Sequence, residues 1–211
     1  MSIVAAIYYH PEAFPPTLNA IGELSQIFNR VYLLHRPHLK GNWEYGDNVE
    51  LIPSGRYITI QDQEQSTLLN KIAVFCSFTW RLYNLIRRNR PKVVLLYDSI
   101  PLFSYYLIRG LIAYKPVIWY HNHDVVEKQQ LRKFSISWFA ALCENSMFPR
   151  LGIFSLPAEE RKEYFPMTIL RGKDFFIPNL PARKFYDGFK YICKPDKCIR
   201  ILFQGSIGFS H

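Results

Sequence analysis

None of the glycine signatures that mark a phosphate-handling turn stands where this chain would need it. The first strand-like run, Ile3–Tyr9, leads into HPEAFPP rather than G-x-G-x-x-G, so no nicotinamide cofactor is expected. No G-x-S-x-G nucleophile elbow and no Walker lysine loop occurs anywhere. Cysteine is scarce: Cys76 and Cys143 fall in apolar helix-like runs and read as buried thiols. Cys193 and Cys198 lack the second pair that would complete a zinc site. Met1 runs straight into IVAAIYY with no basic leader, so no signal peptide is expected. The most membrane-like stretch, Leu102–Tyr120, is broken by Arg109, Lys115 and Pro116, which argues against a spanning helix. These absences together point to a reducing, cytoplasmic setting. Acid is also in deficit: 17 Asp and Glu stand against 26 Lys and Arg, a net charge of +9 that favours anionic partners.

What the chain does have is apolar mass. Hydrophobic residues make up 49% and aromatics 16% of the 211 residues, enough for a sizeable core. Strand-like runs at Ile3–Tyr9, Val31–His35, Val49–Ile52, Lys92–Tyr97, Val117–Tyr120, Gly152–Leu156 and Phe175–Ile177 alternate with helix-like periodicity. Helices are expected through Leu18–Phe28, over Ser66–Asn89, over Leu102–Ala113, over Glu127–Met147 and at AEERKEYF. The Glu127–Met147 helix should bury Leu131, Phe134, Trp138 and Leu142. Such alternation means βαβ units, hence an α/β, Rossmann-like doubly wound parallel sheet. Composition changes near residue 181, giving a domain over 1–180, a basic linker over 181–198, and at 199–211 the first strand and turn of a second domain that the chain does not complete.

The stretch Pro116–Asp124, PVIWYHNHD, organises the rest. It runs from an apolar strand expected to be buried on both faces into His121, Asn122, His123 and Asp124. In a parallel sheet the carboxyl ends of strands line the ligand crevice. By that rule Tyr9, Asp98, His121, Asp124, Ser155 and Asn179 are candidate substrate contacts. A plain polar turn, with Asp124 capping the next helix, is the competing reading. The H-x-H of His121 and His123 has no third ligand nearby, so no metal is expected. Arg81, Arg87, Arg88, Arg90 and Lys92 beside Trp80 and Tyr83 form either a solvated helix end or a face for an anionic membrane. No nucleic-acid module is present.

In order, these landmarks are WYHNHD, a helix carrying Glu144, a strand ending in Ser155, IPN at Ile177–Asn179, a basic linker, and ILFQGSIGFSH. The series resembles the amino-terminal, acceptor-side half of a GT-B retaining glycosyltransferase that uses nucleotide sugars. That resemblance implies sugar transfer to a hydroxyl with retention, of the hexosyltransferase type, with the donor site mostly in the missing second domain. It implies that His123 is the catalytic residue, facing the open cleft beside the transferred sugar, and that its loss lowers turnover without unfolding the chain. His121 takes the role if the register is one pleat off. Gly205 and Ser206, in the turn after the last strand, would meet the donor phosphate. The partners implied are a nucleotide-sugar donor and a glycan or lipid-linked acceptor, with no further cofactor. The proline-rich first loop departs from the family's glycine-rich one. The rival readings are a non-catalytic acceptor-binding domain working with a separate donor-side partner, and a flavodoxin-like module for a phosphate ligand.

Overall fold

A computed structural model describes residues 1–37, 43–55, 66–125, 131–170 and 172–178. The chain divides into Met1–Pro181 and Ala182–His211, and the described residues all belong to the first unit. The linker and the strand expected beyond residue 181 lie outside them, as do Cys193 and Cys198.

Seven strands form one parallel sheet in the order β3-β2-β1-β4-β5-β6-β7. They are β1 (Ser2–Ile7), β2 (Arg30–His35), β3 (Val49–Pro53), β4 (Val93–Tyr97), β5 (Val117–His121), β6 (Ile153–Leu156) and β7 (Asp174–Phe176). The order reverses between β1 and β4, where neighbouring connections leave in opposite directions and open a crevice. The α/β, Rossmann-like expectation holds.

Residue alternation sorts the core onto two faces. Ile3, Ala5 and Ile7 of β1 join Ile21 and Leu24 of α1 (Pro15–Ile27) on one face. Val4 and Ala6 turn the other way, toward Phe78, Leu82 and Ile86 of α2 (Leu68–Asn89). The second face also carries α3 (Ser99–Ile108) and α4 (Ile136–Met147), whose buried members include Leu102 and Met147.

Helix α2 starts and stops by local chemistry. The Thr67 hydroxyl accepts from the Asn70 amide at 3.3 Å, Arg87 and Arg88 sit in the last turn, and Arg90 closes the helix in the left-handed conformation. Its first turns are bare: Leu69 is 80% exposed, and core packing sets in at Val74 and Phe75. A 22-residue helix spans about 33 Å, whereas a five-residue strand spans about 17 Å, so α2 overhangs the sheet.

Three expectations need correction. The helix read from Glu127 starts at Ile136, because Ser135 caps it by accepting from Trp138 N at 3.2 Å, and the cap expected of Asp124 would fall on residues 126–130, outside the described residues. Its expected stripe is not the buried face: Phe134 and Leu142 are exposed and Leu131 and Trp138 half-buried, while Ala140, Ala141 and Met147 are buried. Periodicity weighs large side chains, but here small alanines are buried instead. Cys76 is exposed rather than buried. In addition, Val117 opens β5 at the surface, and AEERKEYF forms 3-10 turns over Glu159–Tyr164 instead of an α-helix.

Candidate functional site

Strands β1, β4 and β5 end level with one another: Ile7 pairs with Tyr97, and Tyr97 with His121. Beyond these ends the chain delivers Tyr8 and Tyr9, Asp98, and Asn122–Asp124 to one edge of the sheet, at the reversal of strand order. A pocket of about 880 Å³ opens there. Its wall includes Tyr9, Asp98, Asn122, Asp124 and Glu144.

Asp98 is the strained point of this edge. Its φ of 65° and ψ of 176° fall in a region that is essentially glycine's alone, at a cost of order 1–3 kcal/mol. It stands at the N-cap position of α3 but its side chain does not cap the helix. The carboxylate turns to His123 instead: Oδ1 accepts from the His123 amide at 2.8 Å, and Oδ2 lies 3.1 Å from Nδ1. A carboxylate only accepts, so the Nδ1 proton is fixed on the Asp98 side. The other ring nitrogen, Nε2, lies 3.0 Å from the Thr17 hydroxyl of α1.

The His123 ring is stacked between Tyr97, centroids 5.0 Å apart, and Phe14, 5.4 Å apart, and only 3% of the residue is exposed. It does not face the open cleft. Phe14 and Tyr97 line the pocket in front of it, and Asn122 and Asp124 are the members of the HNHD segment that reach the wall.

His121 and Ser155 lie deeper still. Trp119 Nε1 donates to Ser155 Oγ at 2.7 Å, and the same oxygen sits 2.7 Å from His121 Nδ1. Burial, reinforced by the neighbouring His123, lowers the His121 pKa to about 3, with Asp98 opposing. Ser155 is fully buried and bonded to these two rings, so it is a packing residue and not a wall residue. Asn179, Gly205 and Ser206 lie outside the described residues.

Two features escaped sequence reading as site residues. Tyr120 OH donates to Glu144 of α4, and Asn122 Nδ2 donates to Tyr120 OH at 3.0 Å. Burial and then the Glu144 charge raise the Tyr120 pKa well above its ordinary value, so it remains a donor. Glu144 is the single charged residue in an apolar helix, a signal visible in the sequence. Thr17 carries no such signal. At the rim, Arg161 donates to the His123 carbonyl and lies 3.3 Å from Asp124 Oδ1. Among the described residues no group of His, Cys, Asp and Glu could hold a metal ion.

The architecture is a Rossmann-like α/β fold similar to solved glycosyltransferases and UDP-GlcNAc 2-epimerases. The similar solved structures include sucrose-phosphate synthase from Thermosynechococcus elongatus: TM-score 0.60, 10% identity, 84% of this chain and 48% of that one. CalG4, the calicheamicin glycosyltransferase, matches with TM-score 0.50 and 12% identity over 90% of this chain and 53% of that one. The UDP-GlcNAc 2-epimerase of Methanocaldococcus jannaschii matches with TM-score 0.50 and 11% identity over 83% and 45%. The chain therefore spans about half the length of these three structures. No family model matches the chain, and no curated protein matches it.

Proposed function

We propose that this chain is the acceptor-side half of a glycosyltransferase, and that the pocket at the β1–β4 crevice takes the hydroxyl-bearing acceptor. The observation that carries the reading is the strained Asp98, which forgoes a helix cap to clamp His123 at the base of that pocket. In this reading Asp98, Asp124 and Tyr9 contact the acceptor, and His123 supports positive charge developing on the transferred sugar. The complete enzyme transfers the sugar from a nucleotide sugar with retention, and most donor contacts come from a second domain, where Gly205 and Ser206 begin the phosphate site. Ligand-observed NMR on the chain tests this. Simple saccharides should give saturable contacts, whereas UDP-, GDP- and dTDP-sugars and FMN should give none beyond them. Binding of FMN without any saccharide would replace this reading with the flavodoxin-like one.

The exposed turns of α2 favour a companion proposal, peripheral attachment to an anionic membrane. Leu68, Leu69, Ile72 and Trp80 are exposed on this helix, and exposed Arg87 and Arg88 follow at its end. Among the described residues no helix is long and apolar enough to cross a membrane. Flotation with phosphatidylglycerol-rich vesicles should retain the protein at low salt and lose it as salt screens charges beyond about 8 Å. Equal retention on neutral vesicles would remove the proposal.

A further inference from the structure

Arg36 is a buried cation without a counter-charge. It follows β2 and is only 4% exposed, yet it forms no ion pair among the described residues. Its amide donates to the Tyr9 carbonyl at 3.2 Å, and its guanidinium stands over the Tyr8 ring, 5.1 Å from the centre. Nε is sealed from solvent and has no hydrogen-bond partner. Tyr8 cannot supply the missing charge: burial raises its pKa, with Arg36 opposing, so the phenol is neutral at pH 7. A guanidinium cannot shed its proton either, and burying such a charge unpaired is costly.

The surroundings are short of acid. Helix α2, packed over this part of the sheet, has no Asp or Glu between Leu68 and Asn89. Glu50 lies near the start of β3, 3.9 Å from Arg30. Glu12 stands 3.7 Å from His10 and beside Tyr45, on the other face of the sheet. Asp98 is taken up by His123.

What gathers at this edge is donors. The Ser54 amide donates to the His35 carbonyl at 2.8 Å, carrying the β2–β3 ladder one step past the His35–Pro53 pair. Leu34 and Ile52 turn toward α2, so alternation sends Arg36 and Ser54 to the same side. Ser54 is fully buried, and its hydroxyl also has no partner. From α2, exposed Arg81 reaches over this strand end: Nη1 donates to the Pro53 carbonyl at 3.0 Å. It too forms no ion pair among the described residues.

We infer that Arg36, Ser54 and Arg81 form an oxyanion site at the carboxyl ends of β2 and β3, and that its ligand is a phosphate group, free or as a monoester. Two guanidinium groups and a hydroxyl suit a tetrahedral dianion, which accepts from all three. Tyr8 separates this site from the crevice pocket, lining the pocket and carrying Arg36 on its ring. What the pocket takes has no bearing on the site.

Thermal unfolding in phosphate, against chloride at matched ionic strength, tests it. At ten times Kd the parent should gain about 3–5 °C, and the gain should saturate. Arg36→Met should lose that gain yet melt in chloride no lower than the parent, because an apolar side chain replaces an unpaired charge. Arg81→Gln, at an exposed position, should fold like the parent and weaken phosphate binding at least about fivefold. No gain in the parent overturns the site. So does a linear gain shared by all three proteins, which is the general effect of an excluded salt, or a saturable one that both variants retain. If Arg36→Met fails to fold, Arg81→Gln decides alone. Glycerol 3-phosphate and dihexanoylphosphatidate separate the sources. Equal binding of the first marks a soluble ester, binding of the second alone marks a lipid headgroup, and binding of neither overturns the inference. FMN held here by its phosphate is lost in Arg36→Met, which separates it from a flavin held in the pocket.

Discussion

Replacing His123 by alanine should destabilise the protein by about 3 kcal/mol, because the ring is buried and both its nitrogens are engaged. Alanine removes the slab stacked between Phe14 and Tyr97 and leaves the Thr17 hydroxyl and the Asp98 carboxylate without their ring partner. The sequence-based expectation that folding survives the loss of His123 is thus reversed by where the ring sits. Urea unfolding measures the effect directly, and a midpoint matching the parent would refute it. His123→Asn separates stability from chemistry. Its amide nitrogen still faces Asp98, but nothing meets Thr17, so stability should recover in part. In the complete enzyme, turnover of both variants should fall more than about tenfold if the imidazole acts on the transition state. Full turnover in His123→Asn would reduce the ring to packing.

Much of this fold was legible because its signals are local. Each strand is a short apolar run with a polar end, and each βα unit fits within a few dozen residues. Pattern and propensity therefore agree at β1, β4 and β5, and the strand ends correctly mark the crevice edge. The misses come from contacts that local pattern cannot carry. Thr17 meets His123 across 106 residues of sequence. Asp98 reads as one more polar strand end, and only its backbone angles show a side chain turned away from the helix that follows. The face of α4 is read from its largest residues, yet Ala140 and Ala141 are buried with Met147 while Leu142 is exposed. Ser155 and Asn122 look equivalent in sequence, each polar and each at a strand end. A step of one residue sends Asn122 toward Tyr120 and the pocket, while Ser155 turns in toward Trp119 and His121. Strand ends identify the edge of a site. Which residues form its wall is set by pleat parity and by what packs above.

His121 should make the protein acid-sensitive. Trp119 Nε1 can only donate, so Ser155 Oγ accepts from it and is free to direct its own proton at His121 Nδ1. A neutral imidazole accepts that bond, whereas a protonated one places two hydrogens in the same gap inside the core. The folded-state pKa of about 3 lies below the ordinary value of 6.5. The sign follows from proton uptake. Above pH 6.5 neither state holds the proton and His121 contributes no pH dependence. As pH falls from 6.5 toward 3, the unfolded chain binds a proton that the folded one refuses, so stability declines across that window and levels off below it. The slope for one such group is about 1.4 kcal/mol per pH unit, which amounts to roughly 3 kcal/mol between pH 6.5 and pH 4. Carboxylates titrate near the lower end of this range, so the comparison that isolates His121 is with His121→Gln, which has no proton to take up. Unfolding free energies at pH 7, 5.5 and 4 should fall more steeply in the parent than in the variant, and the two curves should converge as pH drops. Parallel curves would show that His121 is protonated in the folded protein as readily as in the unfolded one, with the Ser155 hydroxyl turned away from Nδ1.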